Sequence, residues 1–171
     1  MMKGFAIGVV VTLLVLAAGA FVFVKLGLMP AGQDQKAGTL ETWAATTSFR
    51  ARFGREARSL RSPIPPTETT LDEGAKLYVS NCEVCHGAQD AKPSNLAKGL
   101  TPDPPQLAKQ GVEDDPEGVT YAKIAHGIRF TGMPGFRDTL SETQLWQVAL
   151  FLKHMDKLPA NTRALWAKSK S

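Results

Sequence analysis

The residues in this sequence that could do chemistry together are Cys82-Glu83-Val84-Cys85-His86. On a helix, Cys82 and Cys85 lie one turn apart on the same side, and His86 shares that face. Two thiols in this arrangement can each bond a vinyl group of one porphyrin, and the imidazole of His86 can coordinate its iron. The C-x-x-C-H spacing therefore predicts one haem c, held covalently by Cys82 and Cys85 with His86 as an axial ligand.

The chain has only two cysteines, which leaves few alternatives for this pair. A thioredoxin-like redox pair needs a strand–helix context that the sequence lacks, and a zinc site needs two further ligands at suitable spacing. A plain disulfide is compatible with an oxidising compartment but gives His86 no role. Haem also explains how a domain of about 90 residues with a weak apolar core folds, since a large apolar cofactor supplies part of that core.

A second axial ligand separates haems that carry electrons from haems that bind substrates, and Met133 is the best candidate for it. It lies in Thr131-Gly132-Met133-Pro134-Gly135-Phe136, where glycine and proline predict a loop and the soft thioether suits haem iron. His126, in or at the end of a predicted helix, is the rival ligand, and His154 is a weaker one. With His86 and Met133 both bound, the iron has no open position for a substrate.

The apolar spacing of an α-helix occurs three times between residues 69 and 158, and no stretch there alternates like a strand. The first helix, over 70–86, starts with a capping-box pattern at Thr70 and Glu73 and ends at the haem-attachment motif. The second covers 121–128, and the third opens at Ser141 with another capping-box pattern. The Pro-, Gly- and Asp-rich stretch between the first two helices predicts a long irregular loop that wraps something functional. The predicted fold class is all-α.

Residues 1–30 are predicted to form an N-terminal transmembrane anchor. From Gly4 to Val24 the chain has 21 residues without a charge. As a helix these would span about 31 Å, against about 30 Å for a hydrocarbon core. A cleaved signal peptide is the alternative, although its apolar region is shorter, about 7–15 residues. Because covalent haem is attached outside the cytoplasm, we expect the haem domain on the periplasmic or extracytoplasmic side of the cytoplasmic (inner) membrane.

Residues 31–68 are predicted to link this anchor to the haem domain. The linker starts with a small, polar and flexible stretch over 31–38 and ends in a Pro-rich, semi-rigid spacer over 62–67. Between them, residues 40–61 have the pattern of a basic amphipathic helix. Its apolar face contains Phe49, Phe53, Ala57 and Leu60, and its arginines are at 50, 52, 55, 58 and 61. This helix could lie on anionic lipid, dock on an acidic partner subunit, or pack against its own domain.

Residues 69–158 resemble a class I c-type cytochrome, and residues 159–171 are left as a basic C-terminal tail. The resemblance is carried by the attachment motif with Gly87, by Ile124-Ala125-His126-Gly127-Ile128, by Gly132-Met133-Pro134, and by a final helix with Leu145-Trp146. It implies a helical domain around one haem, with the first and last helices crossing near the haem edge and Trp146 at that crossing or against the haem. It also implies that a proline carbonyl within 102–105, here assigned to Pro105, accepts the Nδ1–H of His86. Arg129 is a candidate partner for a haem propionate, or a solvated arginine.

These features together predict a membrane-tethered, mono-haem electron carrier of a respiratory or related redox chain, and not an enzyme in itself. Its expected partners are the lipid bilayer and a membrane redox complex or other cytochromes, which it would serve as a free shuttle or as a fixed subunit. A haem-based sensor or peroxidase with a displaceable sixth ligand is the alternative, and a structural subunit that grips a partner through 40–61 is another. The net charge of +4 gives no indication of nucleic-acid binding.

Overall fold

The computed structural model describes residues 2–29, 31–32, 35, 37–55, 57–90 and 92–168. These residues contain helices and no strand, which confirms the all-α prediction. The helices are α1 (Met2–Lys25), α2 (Thr39–Gly54), α3 (Glu68–Asn81), α4 (Glu83–His86), α5 (Asn95–Lys98), α6 (Leu107–Gln110), α7 (Glu117–His126), α8 (Glu142–Lys153) and α9 (Ala160–Ala167), with 3₁₀ turns at Ala57–Ser59 and Met155–Lys157. The chain divides into two compact units, Met1–Thr39 and Leu40–Ser171.

The first unit contains the long apolar helix α1. Its residues Lys3–Lys25 are long and apolar enough to cross a membrane, with a mean hydropathy of 2.8. Large apolar side chains such as Phe5 and Leu14 are exposed along it. A helix of this composition is consistent with the predicted anchor and also with a signal sequence. The flexible stretch predicted over 31–38 includes residues 33, 34 and 36, which lie outside the described residues.

The second unit is built on the crossing of α3 and α8. Gly74 allows the close approach of the two helices, because a Cβ at this position would lie 2.8 Å from the Cβ of Phe151 and would collide with the backbone carbonyl of Gln147. Tyr78 and Phe151 are fully buried beside this point, with ring centroids 5.4 Å apart. The crossing of the first and last predicted helices is therefore present, and it depends on a glycine at position 74.

The two capping boxes predicted at helix starts can be compared with the structure. The capping box of Ser141 and Gln144 at the start of α8 is confirmed, with both reciprocal hydrogen bonds present. The capping box predicted for Thr70 and Glu73 is wrong. The cap of α3 is Thr67, whose hydroxyl accepts the backbone N–H of Thr70 at 3.2 Å. The Pro-rich spacer ends in extended backbone at Thr67, so the helix can start directly after it.

The basic helix predicted over 40–61 is shorter than expected and does not belong to a linker. It ends at Gly54, and the chain continues through the 3₁₀ turn at Ala57–Ser59. Phe53 and Ala57 are buried against Val119 and Ala122 of α7. Of the three placements left open for this helix, packing against its own domain is the one present, and the compact unit begins at Leu40 and not near residue 69. The sequence marks both side chains as part of an apolar face, but not the α7 surface that they contact, because that surface lies more than 60 positions away.

The predicted C-terminal tail is also part of the folded unit. Residues 160–167 form α9, and Trp166 is 2% exposed with its ring edge-on to those of Tyr78 and Phe151. Thr162 is fully buried and its hydroxyl donates to Asp72 of α3 at 2.5 Å. The boundary predicted at residue 158 is thus too early, since α9 completes the core beside α3. Residues 169–171 of that tail lie outside the described residues.

The packing at Gly74 gives a test of the helix crossing. We expect Gly74→Ala to destabilise the folded unit by about 3 kcal/mol, since overpacking of a tight core costs roughly 1–3 kcal/mol and the backbone here cannot yield. Gly99→Ala is the control, because a Cβ there meets nothing closer than 3.4 Å. Chemical unfolding of both variants measures the difference, and equal midpoints would contradict the close crossing.

Candidate functional site

A cavity of about 340 Å³ brings together the residues that the sequence singled out for chemistry. Cys82, Cys85 and His86 line it, and Met133 lines it as well, although Met133 comes 47 residues after His86 in the sequence. The other walls are largely apolar and include Leu100, Leu107, Val112, Ile124, Ile128, Phe136 and Leu152. A cavity with this lining suits a flat apolar ligand that has a few fixed polar or metal-binding points.

The two cysteines are placed by a short break between α3 and α4. Cys82 ends α3, where its N–H donates to the carbonyl of Tyr78 at 2.8 Å, and its own carbonyl accepts from His86 at 2.9 Å. The attachment motif thus occupies a single turn, with both cysteine thiols free. Tyr78 holds the turn from within the core by donating its hydroxyl proton to the Gly87 carbonyl at 2.7 Å. Burial, followed by the nearby Cys85, raises the pKa of Cys82 to about 12, so its thiol is neutral.

The imidazole of His86 is oriented by a backbone carbonyl. Its Nδ1 lies 2.9 Å from the carbonyl oxygen of Pro105, which is the contact that the resemblance implied. When Nδ1–H donates to this oxygen, Nε2 is left as the nitrogen that can coordinate a metal. Burial lowers the pKa of His86, while the hydrogen bond to Pro105 acts in the opposite direction. The result is a neutral imidazole, the form that metal coordination requires.

Gln106 is a residue of this site that the sequence reasoning missed. Its side-chain amide donates to the carbonyls of Cys85 at 3.0 Å and Pro104 at 3.2 Å. These bonds connect the proline segment directly to the helix that carries His86, and so hold the Pro105 carbonyl in place. A glutamine after a run of prolines has no distinctive sequence signal, because its partner is a backbone carbonyl 21 residues earlier.

The loop that carries Met133 is pinned to the C-terminal end of α7. The carbonyl of Met133 accepts the N–H of Ile128 at 3.1 Å, and the N–H of Met133 donates to the Thr131 hydroxyl at 3.1 Å. After the loop, the N–H groups of Phe136 and Arg137 donate to carbonyls of the last turn of α7, at 3.0 and 3.2 Å. The last carbonyls of a helix have no partner within it, and here two of them hold this loop.

Two glycines make this contact possible. Gly127 has a φ of +66°, and a Cβ there would lie 2.5 Å from the N of Gly135. A Cβ on Gly135 would in turn lie 2.8 Å from the carbonyl carbon of His126. The loop and the helix end touch backbone to backbone, so the position of Met133 is set by glycines on both sides.

The donor set of this cavity fits a haem c. It contains two neighbouring free thiols, a neutral oriented imidazole, a thioether on a separate segment, and apolar walls between them. Among the described residues, no group of three or more His, Cys, Asp or Glu side chains could hold a metal ion by itself. The zinc alternative therefore has no set of ligands in the described part of the chain.

Comparison with known proteins agrees with this donor set. Residues 69–152 match the family model described as cytochrome c oxidase, cbb3-type, subunit III. The chain contains a c-type cytochrome domain. It is 29% identical over 108 residues to cytochrome c550 of Pseudomonas aeruginosa, an alignment that covers 60% of this chain and 69% of the relative. No solved structure gave a significant match. Domains of this family bind covalent haem c, as the attachment motif predicted.

The rival axial ligands of the cytochrome lie elsewhere. His126 is exposed at the end of α7 and does not line the cavity. His154 does not line it either, and its Nδ1 lies 2.8 Å from the carbonyl oxygen of Leu150. Of the two histidine alternatives left open by the sequence, neither faces His86 across the cavity.

Two of the predicted cofactor contacts are not among the cavity walls. Trp146 is 3% exposed, but it stacks on Tyr121 with ring centroids 4.2 Å apart, so it joins α8 to α7 in the core. Arg129 is exposed, with its guanidinium 5.1 Å from the ring centre of Phe130. The cavity lining gives no support to a haem contact of Trp146 or a propionate contact of Arg129, and both stay predictions. Both predictions relied on the family pattern and not on a local signal.

The glycine pair gives a test of how Met133 is positioned. We expect Gly127→Ala to destabilise the cytochrome by about 3 kcal/mol and to open the haem iron to carbon monoxide. About 1–2 kcal/mol of this comes from the positive φ, and the rest from the collision with the loop. Gly111→Ala is the matched control, since its φ is +73° but a Cβ there meets nothing closer than 3.7 Å. A Gly127→Ala protein that is no less stable than Gly111→Ala would contradict the backbone contact.

Proposed function

We propose that this cytochrome is a membrane-tethered, single-electron carrier whose iron is bound by His86 and Met133, with Cys82 and Cys85 attaching the haem. The observation that carries the proposal is that these four side chains line one cavity, although they come from two segments far apart in the sequence. When bound, the haem supplies an iron that cycles between the ferrous and ferric forms. The roles of the four residues follow from their chemistry and placement.

The two side chains that would bind the iron are held by different means. His86 is fixed by the Pro105 carbonyl, so its ring would keep one orientation in both charge states of a bound haem. Met133 is fixed through its backbone, whose N–H and carbonyl are both hydrogen-bonded within the loop. Methionine ligation raises the reduction potential. A carrier of this kind leaves no position for a substrate.

The alternative function is a haem-based sensor or peroxidase. Either one needs a sixth iron ligand that is easily displaced. The hydrogen bonds around Met133 argue against easy displacement.

The family model matched by residues 69–152 is described as an oxidase subunit, so a membrane redox complex is a suitable electron donor or acceptor. We infer that the chain serves such a complex, either as a tethered shuttle or as a fixed subunit.

Replacement of Met133 tests the proposed ligation. We expect Met133→Ala to keep covalent haem but to lower the reduction potential and bind carbon monoxide promptly, because the iron loses its sixth ligand. The measurement is the dithionite-reduced optical spectrum of the detergent-solubilised protein before and after carbon monoxide is added. The wild-type spectrum should not shift.

Met155→Ala is the matched control for this variant. Met155 is 9% exposed in the core and does not line the cavity. Its truncation should cost about 2–5 kcal/mol of stability and leave the spectrum insensitive to carbon monoxide. A prompt shift in the wild-type protein would favour the sensor or peroxidase. An unchanged potential in Met133→Ala would rule out Met133 as a ligand.

Membrane tethering is proposed from α1, with the cytochrome domain on the extracytoplasmic side. The first turn of α2 adds a second feature, since Leu40 and Trp43 are both exposed and lie three positions apart on one face. Tryptophan is enriched where a membrane meets water. A tether of this kind keeps the haem near membrane redox enzymes and raises its effective concentration there.

Fractionation tests the tether. We expect the haem-containing chain to stay in the membrane pellet after high-salt and alkaline washes, because a spanning helix is released only by detergent. Its intact mass, with one haem added, should include residues 4–24. A soluble haem protein that lacks these residues would instead identify the segment as a cleaved signal peptide.

A further inference from the structure

One wall of the haem cavity comes from outside the part of the chain that matches the cytochrome family. Phe49 of α2 lines the cavity, whereas the family match begins at residue 69. The side chain is partly buried, and it packs against the same cluster that buries Phe53 and Ala57. The segment before the matched region therefore contributes directly to the site.

Phe49 is held in this position from two sides. Within α2, its ring lies 4.9 Å from that of Phe53, which is 7% exposed against Val119 and Ala122. From α7, the ammonium group of Lys123 lies 5.5 Å from the ring centre of Phe49, within the range of a cation–π contact. These contacts fix the ring at the edge of the cavity.

Lys123 is itself fixed at the cavity. Its ammonium group forms an ion pair with Asp115 at 2.6 Å, and both side chains line the cavity. The carbonyl of Asp115 accepts a hydrogen bond from Lys153 of α8 at 3.1 Å. The aromatic ring, the ammonium group and the carboxylate therefore form one cluster, which joins α2, the 113–115 turn, α7 and α8.

The segment that follows α2 docks on the start of α7. Leu60 approaches Gly118 so closely that a Cβ at position 118 would lie 2.6 Å from the Cβ of Leu60. The N–H of Ser62 donates to the carboxylate of Glu117 at 2.8 Å. Together with the buried Phe53 and Ala57, these contacts attach the chain to α7 on both sides of the 3₁₀ turn, so α2 is a fixed part of this domain.

We propose that Phe49 is a wall of the haem pocket and that α2 covers one side of it, excluding water from the haem and thereby raising its reduction potential. This inference depends on the proposed haem ligation. The ferric haem carries one more positive charge than the ferrous haem, so replacing water by an apolar ring disfavours the ferric form. In this cytochrome α2, which follows the proposed anchor, tunes the haem in addition to linking the anchor to the domain.

The test is a redox titration of the full-length, detergent-solubilised protein and three variants. Phe49→Ala removes the ring and should shift the ratio of reduced to oxidised haem, at a fixed ambient potential, roughly threefold or more toward the oxidised form. Phe49→Leu keeps most of the apolar bulk and should restore most of the wild-type ratio. Trp43→Ala is the matched control, because Trp43 is an exposed aromatic residue of the same helix and does not line the cavity.

The free energy of unfolding is measured on the same samples, which separates a structural role from a tuning role. A merely structural Phe49 would lower the stability in Phe49→Ala and leave the titration unchanged, and that result would overturn the proposal. Equal shifts in Phe49→Ala and Trp43→Ala would overturn it as well. The wild-type spectrum with carbon monoxide reports separately on the proposed ligation, so failure of the two proposals can be told apart.

Discussion

Two segments far apart in the sequence, one with His86 and one with Met133, must line one apolar cavity, and the rest of the domain depends on this requirement. His86 sits in a one-turn helix and Met133 in an irregular loop, so neither is placed by a long element of its own. Each is instead positioned by hydrogen bonds to backbone. Pro105 orients the imidazole, and the end of α7 holds the methionine loop. Precise positions follow because backbone groups have few alternative conformations.

The helices supply the rigid frame behind these two segments. The crossing of α3 and α8 at Gly74 places the end of α3, and therefore the cysteines, at a defined distance from α8. The rings of Tyr78, Phe151 and Trp166 fill the space where α3, α8 and α9 meet. Tyr78 also donates to the carbonyl of Gly87, directly after the attachment motif. The buried side chain of Tyr78 thus joins the core to the site.

The segment 39–62 changes the interpretation of how the domain meets the rest of the chain. Its arginines suggested a linker helix, but Phe49 and Phe53 pack on α7, and Phe49 also lines the cavity. The basic side chains are left on the outside of a docked element. The same helix can therefore cover the cofactor on one face and present Trp43 to its surroundings on another.

The amino-acid sequence by itself determined the cofactor and predicted the residues that would bind it. Two cysteines and a histidine within one helical turn have few other uses, and the soft thioether of a methionine in a Gly- and Pro-containing loop suits haem iron. The second capping box and the all-α class followed from local periodicity in the same way. Each of these signals can be recognised in the sequence because the residues that form it lie within a few positions of one another.

The tertiary structure alone decided which other residues surround that chemistry. Gln106 reaches the site through a carbonyl 21 residues away and Lys123 contacts the ring of Phe49 on another helix, so no local pattern marks these two residues. Phe49 belongs to a predicted apolar face, but only the fold places it in the cavity wall. Trp166 looked like part of a basic tail because its contacts, Tyr78 and Phe151, lie on other helices. Long-range packing assigns such side chains to a core or a cavity. Periodicity reports only that a face is apolar, and not what that face meets.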